Sequence, residues 1–442
     1  MRKFLPAVVA CAWLPAMALA QAATQASPAT VVPLSMAPAV GGAASAAAPT
    51  ASSMAPLGAG SSSVLGTEVT LPQLLELVKT RSPALQAERI QVQVAEADLM
   101  TAQTLPNPTA SYTHKRGERE ALLSQDLPIF GQRGARIDTA RSGIDAARAN
   151  LRLAYAAALQ DAARDFTTLL ISQEREKRWV EAKQDLEAAA KIVAGQVQAG
   201  ARSRYDQTRI EIERATLDAQ LEQAQAETLQ AAAQVAADVG DPDWRPRAVG
   251  SIVPQWKALS FDALWPQAQQ RLPQVRAALA EQDYADKLVQ VARRDAYPVP
   301  SVSVGRLNND LGRSTEFGLS VAIPVFDRNQ GPIARAEAEA EGMRLRSQAI
   351  IVAAQSELRR ATEQMERREQ LTERYQREGL AMVPQLRQMA QDAYTLGRGG
   401  ILELIDAIQA VAEKKNTYLD LLQAALQAEV DVRIASGELG VE

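Results

Sequence analysis

The chain has 442 residues and a formal net charge of -4, and Phe, Trp and Tyr make up only 4% of it. So few aromatic residues cannot fill several compact cores, whereas the wealth of Ala, Gln, Glu, Arg and Leu is that of long helices packed through small side chains. A mildly acidic, mixed-sign chain is a poor partner for nucleic acid, and one Cys with one His leaves no N/S ligand cluster for zinc or copper.

The first 20 residues read as a secretory signal. Arg2-Lys3 supplies the basic end, Phe4 to Leu19 the apolar stretch, and Ala18-Leu19-Ala20 the cleavage site. Val8-Val9-Ala10-Cys11 also fits a lipoprotein box, so Cys11 is either lipidated or lost with the signal. Cleavage after Ala20 removes Arg2 and Lys3 and takes the formal charge from -4 to -6. Residues 21–66 are a charge-poor run of Ala, Ser, Thr, Pro and Gly, expected to form a disordered leader. No later run of 18 apolar residues exists, so a membrane contact has to come from a barrel or a surface attachment.

From residue 67 the chain is written twice, as repeats 67–250 and 251–442. Arg81-Ser-Pro-Ala answers to Arg271-Leu-Pro-Gln, Leu105-Pro-Asn-Pro to Tyr297-Pro-Val-Pro, Leu127-Pro-Ile-Phe to Ile323-Pro-Val-Phe, and Gln198-Ala-Gly to Thr395-Leu-Gly. A period this long lies beyond that of solenoids, so the duplicated unit is a whole subdomain. Each repeat is expected to run as a helix of about 30 residues, a hairpin, a very long helix, a Gly-marked turn and a shorter returning helix. The first long helix, Arg136 to Gln198, carries Ile144, Ala147, Leu151, Ala154, Ala158, Ala162, Phe166 and Leu169 at three- and four-residue spacing. Its counterpart, Ile333 to Leu396, contains Gly379 and Pro384, and Pro inside a helix bends the rod. Helices of roughly 95 Å have to lie side by side as antiparallel coiled coils.

Strands are expected at about 108–116, 121–130, 298–307 and 315–326. In residues 316–325 the odd positions are Phe317, Leu319, Val321, Ile323 and Val325, and the even ones are polar, small or Pro, the period of a strand with one greasy face. Four strands cannot close a barrel, and an open edge is not tolerated in lipid. These strands therefore either pool with those of other copies, three copies giving 12, or pack on protein in a soluble periplasmic coiled-coil adaptor or scaffold.

Across Leu71 to Gly440 the chain resembles the TolC-like outer-membrane efflux factors. The stretch Ile323-Pro-Val-Phe-Asp-Arg-Asn-Gln-Gly-Pro-Ile-Ala-Arg-Ala336 is similar to the branch that serves heavy-metal pumps of the cobalt, zinc and cadmium type. The resemblance implies a mainly α, internally duplicated chain whose long coiled-coil helices form a periplasmic tunnel. Its four strands join a 12-stranded trimeric barrel in the outer membrane of a Gram-negative bacterium. The implied partners are two further copies, a periplasmic adaptor, an inner-membrane resistance-nodulation-division pump driven by protons, and lipid. Drugs or type I secreted polypeptides are the alternative cargo.

By the same resemblance the periplasmic constriction is formed by Tyr394, Glu403, Asp406 and Asp206. Gly200, Arg202, Gly397 and Arg398 stand at the helix-turn tips where the adaptor docks. Glu403 replaces the family's usual Asp, and Arg398 stands one position before the family's restraining Arg. Repeated around an axis, Glu403 and Asp406 give a negative ring that favours cations; the plain alternative is that both are solvated helix residues beside a glycine turn. No catalytic constellation or cofactor site accompanies them. His114 stands alone on a strand near a loop, and Glu366, Glu369 and Glu373 fall among Arg residues at the spacing of an ion-paired face.

Overall fold

A computed structural model of the protein describes residues 66–254, 260–310 and 312–438. The expected signal peptide and the leader up to residue 65, Cys11 included, lie outside the described residues.

The first element is a short strand β1 (Glu68–Val69), followed by helices α1 (Leu71–Arg81) and α2 (Pro83–Gln103). Strands β2 (Thr109–Lys115) and β3 (Glu118–Asp126) form a hairpin that leads into α3 (Gln132–Gln198) and the returning α4 (Arg204–Val239). Strand β4 (Arg247–Ala248) pairs in parallel with β1. The same order then recurs: α5 (Phe261–Arg271), α6 (Pro273–Asp295), hairpin β5 (Pro300–Asn309) and β6 (Gly312–Val321), a long rod, and a return in α9 (Ile401–Ala435). That second rod is α7 (Gln330–Arg374), a π-helical stretch Tyr375–Leu380, and α8 (Val383–Thr395).

Each opening helix, expected as one piece of about 30 residues, is broken in two. The breaks fall at Ser82 and Leu272, whose ψ of 120° is extended. Each precedes a proline, whose ring disfavours helical geometry at the residue before it. Proline also shortens the strands. They stop at Asp126 and Val321, so Leu127 to Phe130 and Ile323 to Phe326 lie beyond them, because Pro128 and Pro324 cannot donate to a ladder. At their other ends β3 and β6 begin earlier than expected, with Gly117 at φ 82° making the first hairpin turn.

At 67 residues, α3 is about 100 Å long at 1.5 Å per residue. Along it α4 and α9 pack in the lower part, and α2 and α6 nearer the sheet, so α3 is the spine. One core gathers Leu74, Val78, Leu159, Phe166, Leu169, Val235 and Trp244; a second, in the other repeat, gathers Leu264, Val275, Leu358, Met365 and Val432. Burial of each such side chain stabilises the fold by roughly 1.5–3 kcal/mol.

The two hairpins merge into one four-stranded antiparallel sheet in the order β2-β3-β5-β6. Opposed residues such as Ala110, Leu123, Val304 and Phe317 form one row, and Val302 opposes Leu319. Directly opposed residues share a face, so the apolar residues of both hairpins make one continuous greasy surface. Ser124, Ser303 and Gly318 form a row of the other face. Phe317 is 84% exposed and Leu319 72%. Among the described residues nothing covers that face.

Near the top of α4, Asp238 faces Asp165 and Asp161 of α3. Burial, then repulsion from Asp165 and Asp161, pushes the Asp238 carboxyl up to about 7, and burial also raises Asp165. Asp238 Oδ2 is buried and meets no donor, a geometry that suits a protonated carboxyl donating to Asp165. Because the folded value is raised, the favourable contribution is complete below the unfolded value near 3.8 and is lost as pH rises through about 7. Thermal melts of the detergent-solubilised protein are expected to show a lower Tm at pH 8 than at pH 6, and Asp238→Asn should abolish most of that difference.

Candidate functional site at the helix-turn tips

Both rods end in the same turn. After α3, Gly200 has φ 70°, its N–H donates to Val197 O at 3.1 Å, and Ala201 N–H donates to Gln196 O at 2.9 Å. After α8, Gly397 has φ 72°, its N–H donates to Tyr394 O at 3.1 Å, and Arg398 N–H donates to Ala393 O at 2.8 Å. A left-handed glycine with these two bonds is the Schellman ending of a helix, which a side chain at that position would strain. Below the cores of the rods, Leu186 and Val193 of α3, Ile210 and Leu217 of α4, and Ile401, Leu404 and Ile408 of α9 close a third apolar cluster. It holds the two turns against each other.

Of the expected constriction residues, the fold brings Tyr394 and Asp206 together. Tyr394 is buried at 1% exposure and Asp206 at 8%, and the Tyr394 hydroxyl donates to Asp206 Oδ2 at 3.4 Å. Burial and the Asp206 charge push the phenol above its ordinary value, with Arg202 pulling the other way, so the hydroxyl keeps its proton and remains a donor. Ser203 Oγ also donates to Asp206, at 3.5 Å.

Arg202, expected as a docking position, does something more specific. Its guanidinium lies 4.6 Å from the Tyr394 ring centre and donates to Gly399 O at 2.9 Å and Tyr394 O at 3.3 Å. A residue of the first turn thus clamps the backbone of the second. Sequence reasoning gives no signal for it, since the partners lie 192 and 197 residues away.

Glu403 and Asp406 are not joined to this cluster. Both are exposed, three positions apart on α9. Glu403 Oε2 accepts the Gly400 N–H at 3.0 Å, which caps the start of α9, where the helix dipole also favours a carboxylate. The Gly400-x-x-Glu403 spacing was the available sign of that capping role. Gly397 and Arg398 are exposed at the tip, as is Gly200. Among the described residues no group of three or more His, Cys, Asp or Glu is placed to hold a metal ion.

Paired 100 Å rods beneath an open four-stranded sheet are the fold of one chain of the TolC-like outer-membrane channels. Residues 264–438 match the family described as outer membrane efflux protein. Cobalt-zinc-cadmium resistance protein CzcC of Cupriavidus metallidurans is 26% identical over 381 residues, spanning 82% of this chain and 89% of its own. Protein CyaE of Bordetella pertussis is 29% identical over 66% of this chain and 70% of its own. Nickel and cobalt resistance protein CnrC of C. metallidurans is 26% identical over 62% and 70%. Among solved structures, the outer-membrane channel OprN superposes with a TM-score of 0.70 at 18% identity, over 84% of this chain and 90% of that one. CusC does so with a TM-score of 0.70 at 18% identity, over 83% and 92%. Over these spans the chain is similar to outer-membrane efflux proteins, and its fold is that of their channels.

Losing the clamp should loosen the second turn without unfolding the rods. Arg202→Ala removes a charged donor worth on the order of 1.5–3 kcal/mol, less what solvent recovers at a half-exposed site. Amide hydrogen exchange across residues 396–400 is expected to accelerate about tenfold, while α3 and α9 keep their protection. Tyr394→Phe, which leaves the clamp in place, should have a smaller effect on the same amides.

Proposed function

We propose that three copies of the chain assemble into a 12-stranded barrel over a helical tunnel, the outer-membrane exit duct of a tripartite system that exports divalent heavy-metal cations. The observation that carries the assembly is the sheet: its outward residues Phe317, Leu319 and Val321 are exposed, and among the described residues its outer strands β2 and β6 each pair with one neighbour. Four strands leave two unsatisfied edges, which lipid does not tolerate, and further copies supply the missing partners. No described helix is long and apolar enough to cross a membrane, so the strands are what this reading places in the bilayer.

The metal cargo is supported by the similarity to CzcC over most of both chains, by the motif Phe326 to Gly331, and by acid at the tips. Exposed Glu403 and Asp406, repeated three times, form a negative field at the periplasmic entrance that admits cations in preference to anions. Energy comes from an inner-membrane proton-driven pump through a periplasmic adaptor that docks at Gly200, Gly397 and Arg398. The functional boundaries are those of the repeats, 67–250 and 251–442.

Phe317→Lys places a charge on the lipid face, costing roughly 2–4 kcal/mol at the bilayer midplane; the heat-modifiable trimer is expected to disappear from outer-membrane fractions. In planar bilayers, Glu403→Gln with Asp406→Asn should reduce cation selectivity and block by divalent ions. Unchanged selectivity would remove the acidic ring from the mechanism. Deleting the gene and scoring tolerance to zinc, cobalt, cadmium, nickel, copper and a panel of dyes tests the cargo. Sensitivity to dyes alone would make the duct one for drugs.

A further inference from the structure

Just beneath the sheet, α2 and α6 both pack on α3 and leave a cavity of about 530 Å³, far from the helix-turn tips. Its upper lip is Leu105, Pro106 and Pro128, next to the strand ends at Thr109 and Asp126. Its floor is the Tyr284 ring, which lies against Gly143, where a Cβ would come within 3.3 Å of it. Between lip and floor stand Arg133 and Arg136 near the start of α3, and deeper down Asp98 and Thr139.

We propose that this cavity holds the headgroup of one phospholipid of the periplasmic leaflet that carries a primary amine, its phosphate at Arg133 and Arg136 and its ammonium at Asp98 and Thr139. The inference rests on the reading above that the sheet lies in the bilayer, and it adds the class of lipid that the chain selects.

Height and side both fit a lipid. Strands β3, β5 and β6 have 9, 10 and 10 residues, and a tilted strand of about 9–11 residues spans the hydrocarbon. Their lower ends therefore mark its periplasmic boundary, and the headgroup layer takes up about 5–7 Å beyond it. Pro106, Pro128 and the first turn of α3 lie at that height. The side is marked by Gln125, which opposes Val302 as Val302 opposes Leu319, so that all three share the apolar face of the sheet. Gln125 Nε2 donates to Pro106 O at 2.8 Å, which ties the lip of the cavity to the apolar side of the sheet and not to its polar side. Acyl chains leaving the cavity pass Leu105 and run up the face of Leu123, Val302 and Leu319.

The charges around the cavity are incompletely matched. Helix α3 begins at Gly131, which has no side chain to cap it, and its first turn holds no acidic residue. The positive end of the helix and two guanidinium groups thus gather where an anion is favoured. Arg136 meets Asp295 at 3.0 Å. Arg133 has no carboxylate partner among the described residues; its Nε and Nη2 donate to Gln103 O at 3.1 and 2.6 Å, which leaves Nη1 for a ligand.

The deeper end has the opposite character. Gln103 is level with Arg133, so Asp98, five residues lower on α2, lies about 7.5 Å deeper. It is exposed and forms no ion pair among the described residues. Thr139, six residues below Arg133 on α3, reaches about the same depth. It is 7% exposed, and its hydroxyl meets no partner among the described residues. A phosphate, a two-carbon link and an ammonium span about that depth, and the three N–H donors of the ammonium find a carboxylate and a hydroxyl. A glycerol headgroup offers Asp98 no charge, and a choline headgroup has no N–H to donate.

The full-length chain in nanodiscs of dioleoyl phosphatidylcholine, doped with equal small amounts of dioleoyl phosphatidylethanolamine and dioleoyl phosphatidylglycerol, tests the site by native mass spectrometry. One phosphatidylethanolamine per chain is expected, retained about tenfold over either other lipid. Arg133→Gln should lose that retention. Asp98→Asn and Thr139→Val break no bond within the chain, so they should keep the wild-type Tm while holding phosphatidylethanolamine no better than phosphatidylglycerol. Should Arg133→Gln fail to fold, these two variants decide alone. Equal retention of the three lipids by the wild type, or an unchanged preference in both Asp98→Asn and Thr139→Val, would overturn the site. Glycerophosphoethanolamine or inorganic phosphate competing as well as the intact lipid would assign the cavity to a soluble anion and refute the lipid. A chain that does not enter the nanodiscs at all would instead overturn the bilayer reading on which the site rests.

Discussion

Backbone hydrogen bonding at the two edges of one small sheet governs everything else in this molecule. Among the described residues the ladder from β2 to β6 satisfies its interior strands and leaves β2 and β6 each with one unpaired side. Water can satisfy such an edge, but lipid cannot. Because the same sheet presents Phe317, Leu319 and Val304 in a continuous outward face, the surface asks for lipid while its edges forbid it to a single copy. Chain duplication eases the conflict only by half, since it brings two hairpins into one sheet and no more.

The helices obey the same demand at the other end. Under the proposed closure with sister copies, the rods have to stay parallel to a common axis for their whole length. The spine α3 is unbroken over 67 residues, and small residues such as Ala162, Ala163 and Ala189 are buried on it, which lets neighbouring helices approach closely. Ion pairs such as Arg164 to Asp431 at 2.6 Å and Lys183 to Asp218 at 2.6 Å tie α9 and α4 to that spine at set heights. Their side chains are partly exposed, so each contributes little to stability; what they supply is register.

Much of this architecture was legible in the sequence because it is periodic. Alternation in 316–325 announced a greasy strand face, and repeated Pro and Gly landmarks announced two copies of one layout. What the sequence concealed lies where contacts join residues far apart in the chain. Merging of the two hairpins into a single sheet depends on β3 finding β5, and no local signal carries that. Asp206 and Tyr394 were each expected at the constriction, and the structure joins them side chain to side chain. Arg202, in contrast, looked like an exposed tip residue, because its two acceptors are main-chain carbonyls of another turn, and a carbonyl leaves no mark in the sequence. Glu403 was read for its charge alone, although its spacing from Gly400 already marked a helix cap. The helix breaks at Ser82 and Leu272 were visible as residues before proline but were outweighed by apolar periodicity running through them.

The two rods answer to each other in sequence, yet α3 is one continuous helix while the second is interrupted between α7 and α8, and the cause is local. Pro384 lacks an N–H, and its ring crowds the carbonyl four residues earlier, that of Leu380, where the π-helical stretch ends. Gly379 sits against the Tyr375 ring, and even a Cβ there would lie 3.3 Å from three ring atoms, so that the ring would have to give by a few tenths of an ångström. Wider winding from Tyr375 to Leu380 and a turn at Ala381 and Met382 absorb the misfit between α7 and α8. The equivalent part of α3 has no proline and stays helical throughout. A displacement of one tip relative to the other is therefore taken up in the second rod, above α8, while α3 keeps the first tip fixed to the sheet. The clamp from Arg202 to the carbonyls of Tyr394 and Gly399 spans the joint between the fixed tip and the compliant one. Its hydrogen bonds hold α8 in the position that its own rod leaves underdetermined.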